Sequence, residues 1–186
     1  SGNFAVHYSD GATSGFNKPL SGGSGGVSSL DRGDIPVTGS TQGYAIFSDP
    51  ETVDVNLLIG GDNQDGDTRL PIGLVDIADS RKDCVVFLSP DKNDCVANEN
   101  PQESTTTLTE VLAFRNTALN KSSSYAFLDS GWKYMYDRYN DVNVWTPLCA
   151  DSAGIAVRSD EATETWFSPA GFNRGQVRGV IKLSFN

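Results

Sequence analysis

The chain has 186 residues, enough for one medium-sized domain with its own hydrophobic core. Its 14 basic and 24 acidic residues give a net charge of −10, which argues against a surface for direct nucleic-acid binding or for anionic membranes, because both need clustered Lys and Arg. No apolar run approaches the roughly 18 residues of a membrane-spanning helix, so we expect no membrane insertion.

The cysteine pattern indicates thiols rather than disulfides. Cys84, Cys95 and Cys149 are an odd number and form no C-x-x-C motif. The first residues show neither the basic nor the apolar region of a signal peptide. We therefore expect free cysteines in a cytoplasmic setting, with Cys84 and Cys149 buried because they lie in apolar segments.

The N-terminal part, residues 1–52, is rich in glycine and serine and predicts loops that belong to the same domain as residues 53–186. A short helix is possible around Gly39–Phe47. After residue 52, strand patterns and helix patterns alternate along the chain. The predicted strands are Val53–Ile59, Cys84–Leu88 and Ser124–Leu128, and the predicted helices are Arg69–Ser80, Pro101–Leu119 and Pro147–Arg158.

This alternation predicts an α/β fold, with a mostly parallel sheet flanked by helices and connected by Gly/Pro-rich loops. The apolar run Cys84–Leu88 is typical of a buried parallel strand. The spacing of Leu108, Val111, Leu112 and Leu119 predicts one apolar helix face. Alternation in Trp132–Tyr136 predicts a half-buried strand, and Gly179–Phe185 is either a last strand or the start of another element.

No catalytic or metal-binding pattern is complete in the sequence. Gly22–Gly26 matches the G-x-S-x-G nucleophile elbow, but its flanks are loop-like and the single histidine, His7, lies upstream of it. Asp62–Asp67 lacks the ligand register of a calcium loop. Two S-x-x-K matches, at Ser89 and at Ser130, lack the helical context that this motif needs. We therefore predict no catalytic residue, no metal site and no cofactor.

Two groups of acidic residues could in principle supply paired carboxylates. One comprises Asp49, Glu51 and Asp54, and the other comprises Asp137 and Asp141. Ion pairs with Lys133 and Arg138, or solvated faces, are the simpler interpretation.

The C-terminal third is the most distinctive part of the sequence. It holds all three tryptophans and the segments YDRYNDVN, WTPL, ADSAGI and SPAGFNRGQ, in this order. This order resembles a signature of the contractile tail sheath subunits of myoviruses. Val53–Gly60 (VDVNLLIG) and Asp83–Pro90 (DCVVFLSP) resemble the core strands of the same sheath domain, whose fold is described as subtilisin-like.

The resemblance implies a structural subunit and not an enzyme. Such subunits assemble as hexameric rings around a tail tube protein, join a baseplate and a tail terminator, and contract to drive the tube through the host envelope during genome ejection and host cell entry. The implied location is the virion, with assembly in the host cytoplasm. It also implies that outer and C-terminal domains flank this α/β part, that the chain is a fragment, and that the isolated fragment is a monomer or associates weakly.

Two segments carry the residues that we expect to shape the fold or its subunit contacts. In the first segment, YDRYNDVN, polar side chains alternate with aromatics, which predicts a hydrogen-bonded turn. In the second segment, SPAGFNRG, Arg174 is expected to bind carbonyls and carboxylates. The candidates are Tyr136, Asp137, Tyr139, Asn140, Asp141, Asn143, Trp145, Ser168, Pro169, Gly171, Asn173, Arg174 and Gly175.

Two alternatives remain open at this point. One is the sheath of a non-viral contractile injection system, which the same residues would fit. The other is a serine hydrolase that uses Ser24. A third interpretation of the candidate residues is that they only fold the domain.

Overall fold

The computed structural model of the chain describes residues 43–61, 67–96 and 105–185. His7, the Gly22–Gly26 motif and most of the Asp62–Asp67 turn lie outside the described residues. The first described element is a 3-10 helix, Gly43–Ser48, within the range where a short helix was predicted.

A parallel sheet of three strands forms the centre of the fold. Strands β1 (Leu57–Ile59), β2 (Val85–Leu88) and β3 (Ala126–Leu128) lie in that order, with Leu58 opposite Val86 and Phe87 opposite Phe127. The predicted α/β fold class is therefore confirmed, although each strand is shorter than its apolar pattern.

The first face of the sheet packs against α1 (Arg69–Arg81), as predicted. Leu74 and Ala78 on this helix are fully buried against Leu58, Val86 and Leu88. The helix ends at Lys82, whose φ of 63° places it in the left-handed conformation that stops a helix. The main hydrophobic core lies in this layer.

The second face of the sheet packs against α4 (Cys149–Ala162). Phe87, Cys149 and Ala153 are buried together there, with Leu57 and Val85 half-buried beside them. The prediction that this helix begins at Pro147 is wrong, since Pro147 is the last residue of the preceding strand β5 (Val142–Pro147). That strand lies at a sheet edge, where a residue without a backbone N–H is tolerated.

A second, antiparallel sheet follows the parallel one and was predicted only in part. It has the order β5, β4 (Trp132–Asp137), β6 (Lys182–Leu183). Strand β4 covers the predicted strand Trp132–Tyr136, and β6 lies within Gly179–Phe185, where a last strand was one of two possibilities. Gly131 joins the two sheets, and a Cβ at this position would overlap Ser184 Oγ, which explains why glycine is required there.

In the region of the predicted helix Pro101–Leu119, the side chains that are buried differ from those that the sequence pattern predicted. Helix α3 (Thr105–Ala113) continues as a π-helical turn, Phe114–Leu119, and a short helix α2 (Lys92–Val96) packs beside α3. Leu108 and Leu112 are half exposed, whereas Phe114 and Leu119 are buried in the core. The wider π turn changes the phase of the helix, so its apolar spacing does not define one continuous face.

Candidate functional site

The YDRYNDVN segment forms a β-hairpin whose turn is held by its own side chains. Strands β4 and β5 pair from Trp132 opposite Pro147 to Asp137 opposite Val142, and residues 138–141 form the turn. The Asp137 carboxylate accepts hydrogen bonds from the Tyr139 backbone N–H (2.9 Å) and from Asn140 Nδ2 (2.6 Å). The predicted hydrogen-bonded turn is therefore present.

A second contact closes the same turn from its other side. The Tyr136 hydroxyl donates to Asp141 Oδ1 (2.7 Å), which raises the pKa of Tyr136. The hydrogen bonds from Asn140 and Tyr139 lower the pKa of Asp137. Asp141 has a φ of 55°, a left-handed conformation that Asp tolerates better than most residues. These polar residues thus define the shape of the hairpin tip.

The hairpin presents apolar surface to solvent at its tip. Tyr139 is 92% exposed, and Tyr136 and Val142 are about half exposed. The aromatic ring of Tyr139 makes no contribution to the core at this exposure. Large side chains held this far out of the fold are typical of contact surfaces.

Of the two tryptophans on the antiparallel sheet, Trp145 is not a buried core residue. Trp145 is half-buried and packs on Tyr134, with ring centroids 5.1 Å apart, and Lys182 Nζ lies over both rings. Trp132 is the buried tryptophan, at 1% exposure, and its Nε1 donates to the Pro90 carbonyl (3.0 Å). The alternating pattern predicted a strand for Trp132 but none for Trp145, and only the tertiary contacts decide which of the two rings is covered.

The SPAGFNRG segment is a compact loop after α4. The Gly175 backbone N–H donates to the Gly171 carbonyl (2.7 Å), and a Cβ on Gly175 would lie 3.1 Å from that oxygen. Arg174 donates to the Ala170 carbonyl (3.2 Å) and lies 4.5 Å from the centroid of the Phe167 ring. Its Nε is buried without a hydrogen-bond partner among the described residues.

The loop also exposes two large apolar side chains. Phe172 is 93% exposed and Trp166 is 80% exposed. Ser168 Oγ accepts the Ala170 backbone N–H (3.3 Å), and Pro169 and Asn173 lie at the surface. The two motif segments therefore share one property, which is that their polar residues shape a turn from which aromatic side chains project.

A buried polar cluster lies where the parallel strands end. Ser89 Oγ donates to Asp129 Oδ2 (2.7 Å) and accepts the Cys149 backbone N–H (3.0 Å). Asp129 Oδ1 accepts the Gly131 N–H (2.9 Å). This cluster was not predicted, although Ser89 and Asp129 each follow directly after a strand, which is the position where side chains of parallel sheets converge.

The environment of the cluster favours a structural role. Burial raises the pKa of Asp129 to about 7 and raises the pKa of Cys149 above its usual value. The Ser89 hydroxyl both donates and accepts within the fold, and Lys92, its partner in the S-x-x-K match, instead lies over the Trp132 ring. The cluster ties β2, β3 and the start of α4 together.

Other sequence-predicted groups have local partners. Asp49 accepts the Glu51 backbone N–H and the Thr52 hydroxyl, which makes it a turn residue. Lys133 pairs with Asp151 on α4 (2.8 Å), and not with the hairpin carboxylates that were expected to bind it. The buried positions predicted for Cys84 and Cys149 are confirmed.

An apolar cavity of about 490 Å³ lies between the parallel sheet, α4 and the loop that follows it. Phe87, Phe127 and Ala156 line its wall, together with Asp129 and Asp160. In the part of the chain that the structure describes, no cluster of His, Cys, Asp and Glu could hold a metal ion. Within the same residues, no helix is long and apolar enough to cross a membrane.

Comparison with known proteins points to one class, the structural proteins of bacteriophage tails. The chain is 37% identical over 172 residues to a tail sheath protein of Enterobacteria phage T4, which covers 89% of this chain and 25% of that protein. It is 34% identical over 158 residues to a tail sheath protein of Vibrio phage KVP40, covering 76% of this chain and 23% of the relative. No protein-family model matches the chain.

A tail sheath protein of Salmonella phage ViI is 35% identical over 113 residues, covering 61% of this chain and 17% of the relative. The chain belongs to the tail sheath protein family, as the motif order indicated. It spans a quarter or less of the length of these curated relatives.

Proposed function

We propose that the chain is the α/β part of a phage tail sheath subunit. In this role it polymerises in hexameric rings around the tail tube and contracts to drive the tube through the host envelope. The observation that carries the proposal is the identity of 37% over 172 residues with the tail sheath protein of phage T4. The two aromatic-bearing turns supply surface for contacts between subunits.

The proposed mechanism needs no bound cofactor or nucleotide. A packed lattice can have two discrete arrangements, and the difference in free energy between them can be stored during assembly. A subunit in such a lattice needs a stiff core and surface contacts that can be rearranged. The two-sided packing of α1 and α4 on the parallel sheet supplies the stiff core.

Further domains complete the subunit in this proposal. Outer and C-terminal domains of the subunit flank the α/β core in this proposal. The support is the share of the relatives that the chain matches, 25% for the T4 protein. The baseplate, the tail terminator and the tube protein are the proposed partners, in the virion and, during assembly, in the host cytoplasm.

Immunogold labelling tests the proposal directly. Antibodies raised against the chain should label particles from lysed host cells along the whole outer length of the tail. Label on the head or at the tail tip alone, or no label on the particle, would contradict it. Label along headless particles that carry no genome would instead favour the sheath of a non-viral injection system.

A further inference from the structure

We propose that Tyr139 of one copy of this chain inserts into the apolar cavity beside α4 of a second copy. The inference rests on the proposed sheath function, in which copies of the chain pack together. It assigns one partner to the hairpin tip and one occupant to the cavity. Both features are on the surface of the same molecule, and neither is used by its core.

The cavity has the properties of a preformed receptor for an aromatic side chain. Its volume of about 490 Å³ lies within the usual range for binding pockets, about 300–1,000 Å³. Phe127 on the edge strand β3 stacks on Phe87 with ring centroids 5.4 Å apart, yet Phe127 remains 57% exposed. A ring that enters the cavity would cover this exposed aromatic surface.

The polar groups of the cavity define the chemistry of the occupant. Asp129 and Asp160 both line the cavity, but Asp129 is bonded to Ser89 and Gly131 within the fold, so the exposed Asp160 is the carboxyl group that can meet an occupant. The occupant therefore needs an apolar body and hydrogen-bond donors or positive charge. Tyr139 offers a ring and a hydroxyl, and the neighbouring Arg138, which is also exposed, offers a guanidinium that complements Asp160.

Tyr139 does not fill the cavity of its own chain. Its side chain is 92% exposed and is not among the residues that line the cavity. Phe172 and Trp166 are equally exposed, but they belong to the loop that lines the cavity itself. Tyr139 at the hairpin tip is thus the projecting aromatic side chain that lies outside the cavity lining.

A projection and a receptor at separate places on one chain produce a head-to-tail contact. Such contacts are heterologous, so they propagate into rings or helical arrays and do not close as dimers. This property matches the polymer proposed for a sheath. One hairpin tip buries less area than a standard stable interface of about 1,600 Å², so the isolated contact should be weak.

Sedimentation of the chain over a range of concentrations tests the inference. Tyr139→Ser, which removes the projection, and Ala156→Phe, which fills the receptor, should each raise the dissociation constant for self-association at least roughly tenfold. The matched controls Leu112→Ser and Ala150→Phe change an exposed apolar side chain on α3 and an exposed α4 alanine, both outside the hairpin and the cavity lining, and both should associate like wild type. Circular dichroism identifies any variant that fails to fold.

A mixture of the two variants tests the head-to-tail geometry. The Tyr139→Ser chain keeps a normal cavity and the Ala156→Phe chain keeps a normal hairpin, so an equal mixture should form pairs but nothing longer. Wild-type association that neither variant weakens, or its complete absence at the highest concentrations, would overturn the inference. If the whole subunit assembled into sheaths and Tyr139→Ser had no effect on assembly, the inference alone would fail and the sheath proposal would stand.

Discussion

Ser89 Oγ lies 2.7 Å from Asp129 Oδ2 and joins the ends of two neighbouring parallel strands through a carboxyl group inside the fold. The same hydroxyl accepts the backbone N–H of Cys149 at the start of α4. Three elements that are distant in the sequence therefore depend on one half-buried acid. Its protonation state should be visible in the stability of the whole domain.

The pH dependence of stability has a defined sign. Burial raises the pKa of Asp129 from 3.8 to about 7, so the folded state binds a proton that the unfolded state has lost. The contribution is fully present below pH of about 4 and is lost as the pH rises through about 7. Desolvation of Asp94, beside Asp91 and Glu110, raises its pKa to about 6 and acts in the same direction.

We expect the free energy of unfolding to fall between pH 5 and pH 8, by on the order of 2–4 kcal/mol from Asp129. Urea unfolding across this range measures it. Asp129→Asn should flatten the pH profile, whereas Asp76→Asn, at an exposed ion pair with Lys121, should leave its slope unchanged. An Asp129→Asn profile as steep as wild type would show that this carboxyl is ionised in the fold throughout.

The two tryptophans of the antiparallel sheet should differ in their contribution to stability. Trp132→Ala should cost about 3–5 kcal/mol, because the ring is fully buried and its Nε1 is hydrogen-bonded. Trp145→Ala should cost clearly less, because the ring is half-buried, but more than a change at His7. Chemical denaturation of the three variants gives this order, and equal losses at Trp132 and Trp145 would contradict the observed burial.

The ion pair between Lys133 and Asp151 links β4 to α4 in a largely desolvated position, with side-chain exposures of 8% and 23%. Lys133→Met should destabilise the fold by about 3 kcal/mol or more, because it leaves a partly buried carboxylate without its partner. The double variant Lys133→Met/Asp151→Leu should recover most of the loss. A double variant as unstable as the single one would mean that the lost hydrogen bond from Lys133 Nζ to the Arg178 carbonyl, and not the unpaired carboxylate, carries the effect.

Much of the fold follows from local patterns. The apolar run at Val85–Leu88 and the helical spacing in Arg69–Arg81 identify a buried strand and its covering helix, because both signals are contained within a few residues. The dense Asp, Asn and Tyr of the hairpin likewise predict a turn in which side chains bind nearby backbone. These elements depend little on the rest of the chain.

The features that were missed depend on tertiary contacts. Ser89 meets residues 40 and 60 positions away in the chain, and no local pattern contains that information. Pro147 fits either a helix start or a strand end, and its position opposite Trp132 at the sheet edge decides between them. Leu108 is half exposed despite its helical spacing with Leu112, because the buried side of this helix carries Thr107 and Phe114 instead.

Association of the isolated chain should be weak. The chain matches about a quarter of its curated relatives, so most of the surface proposed for the lattice lies in other domains. We expect light scattering of dilute chain to give a monomer or a weakly associating species. Stable hexamers or tubes formed by this chain alone would contradict the proposed dependence on the flanking domains.

Assembly of the complete subunit tests the sheath proposal most directly. The complete reading frame of the gene, expressed together with the tail tube protein of the same phage, should form regular rings or long tubes around the tube, as seen by electron microscopy. This assembly should proceed without added nucleotide or metal. A complete subunit that folds but stays monomeric in the presence of its tube protein would contradict the sheath function.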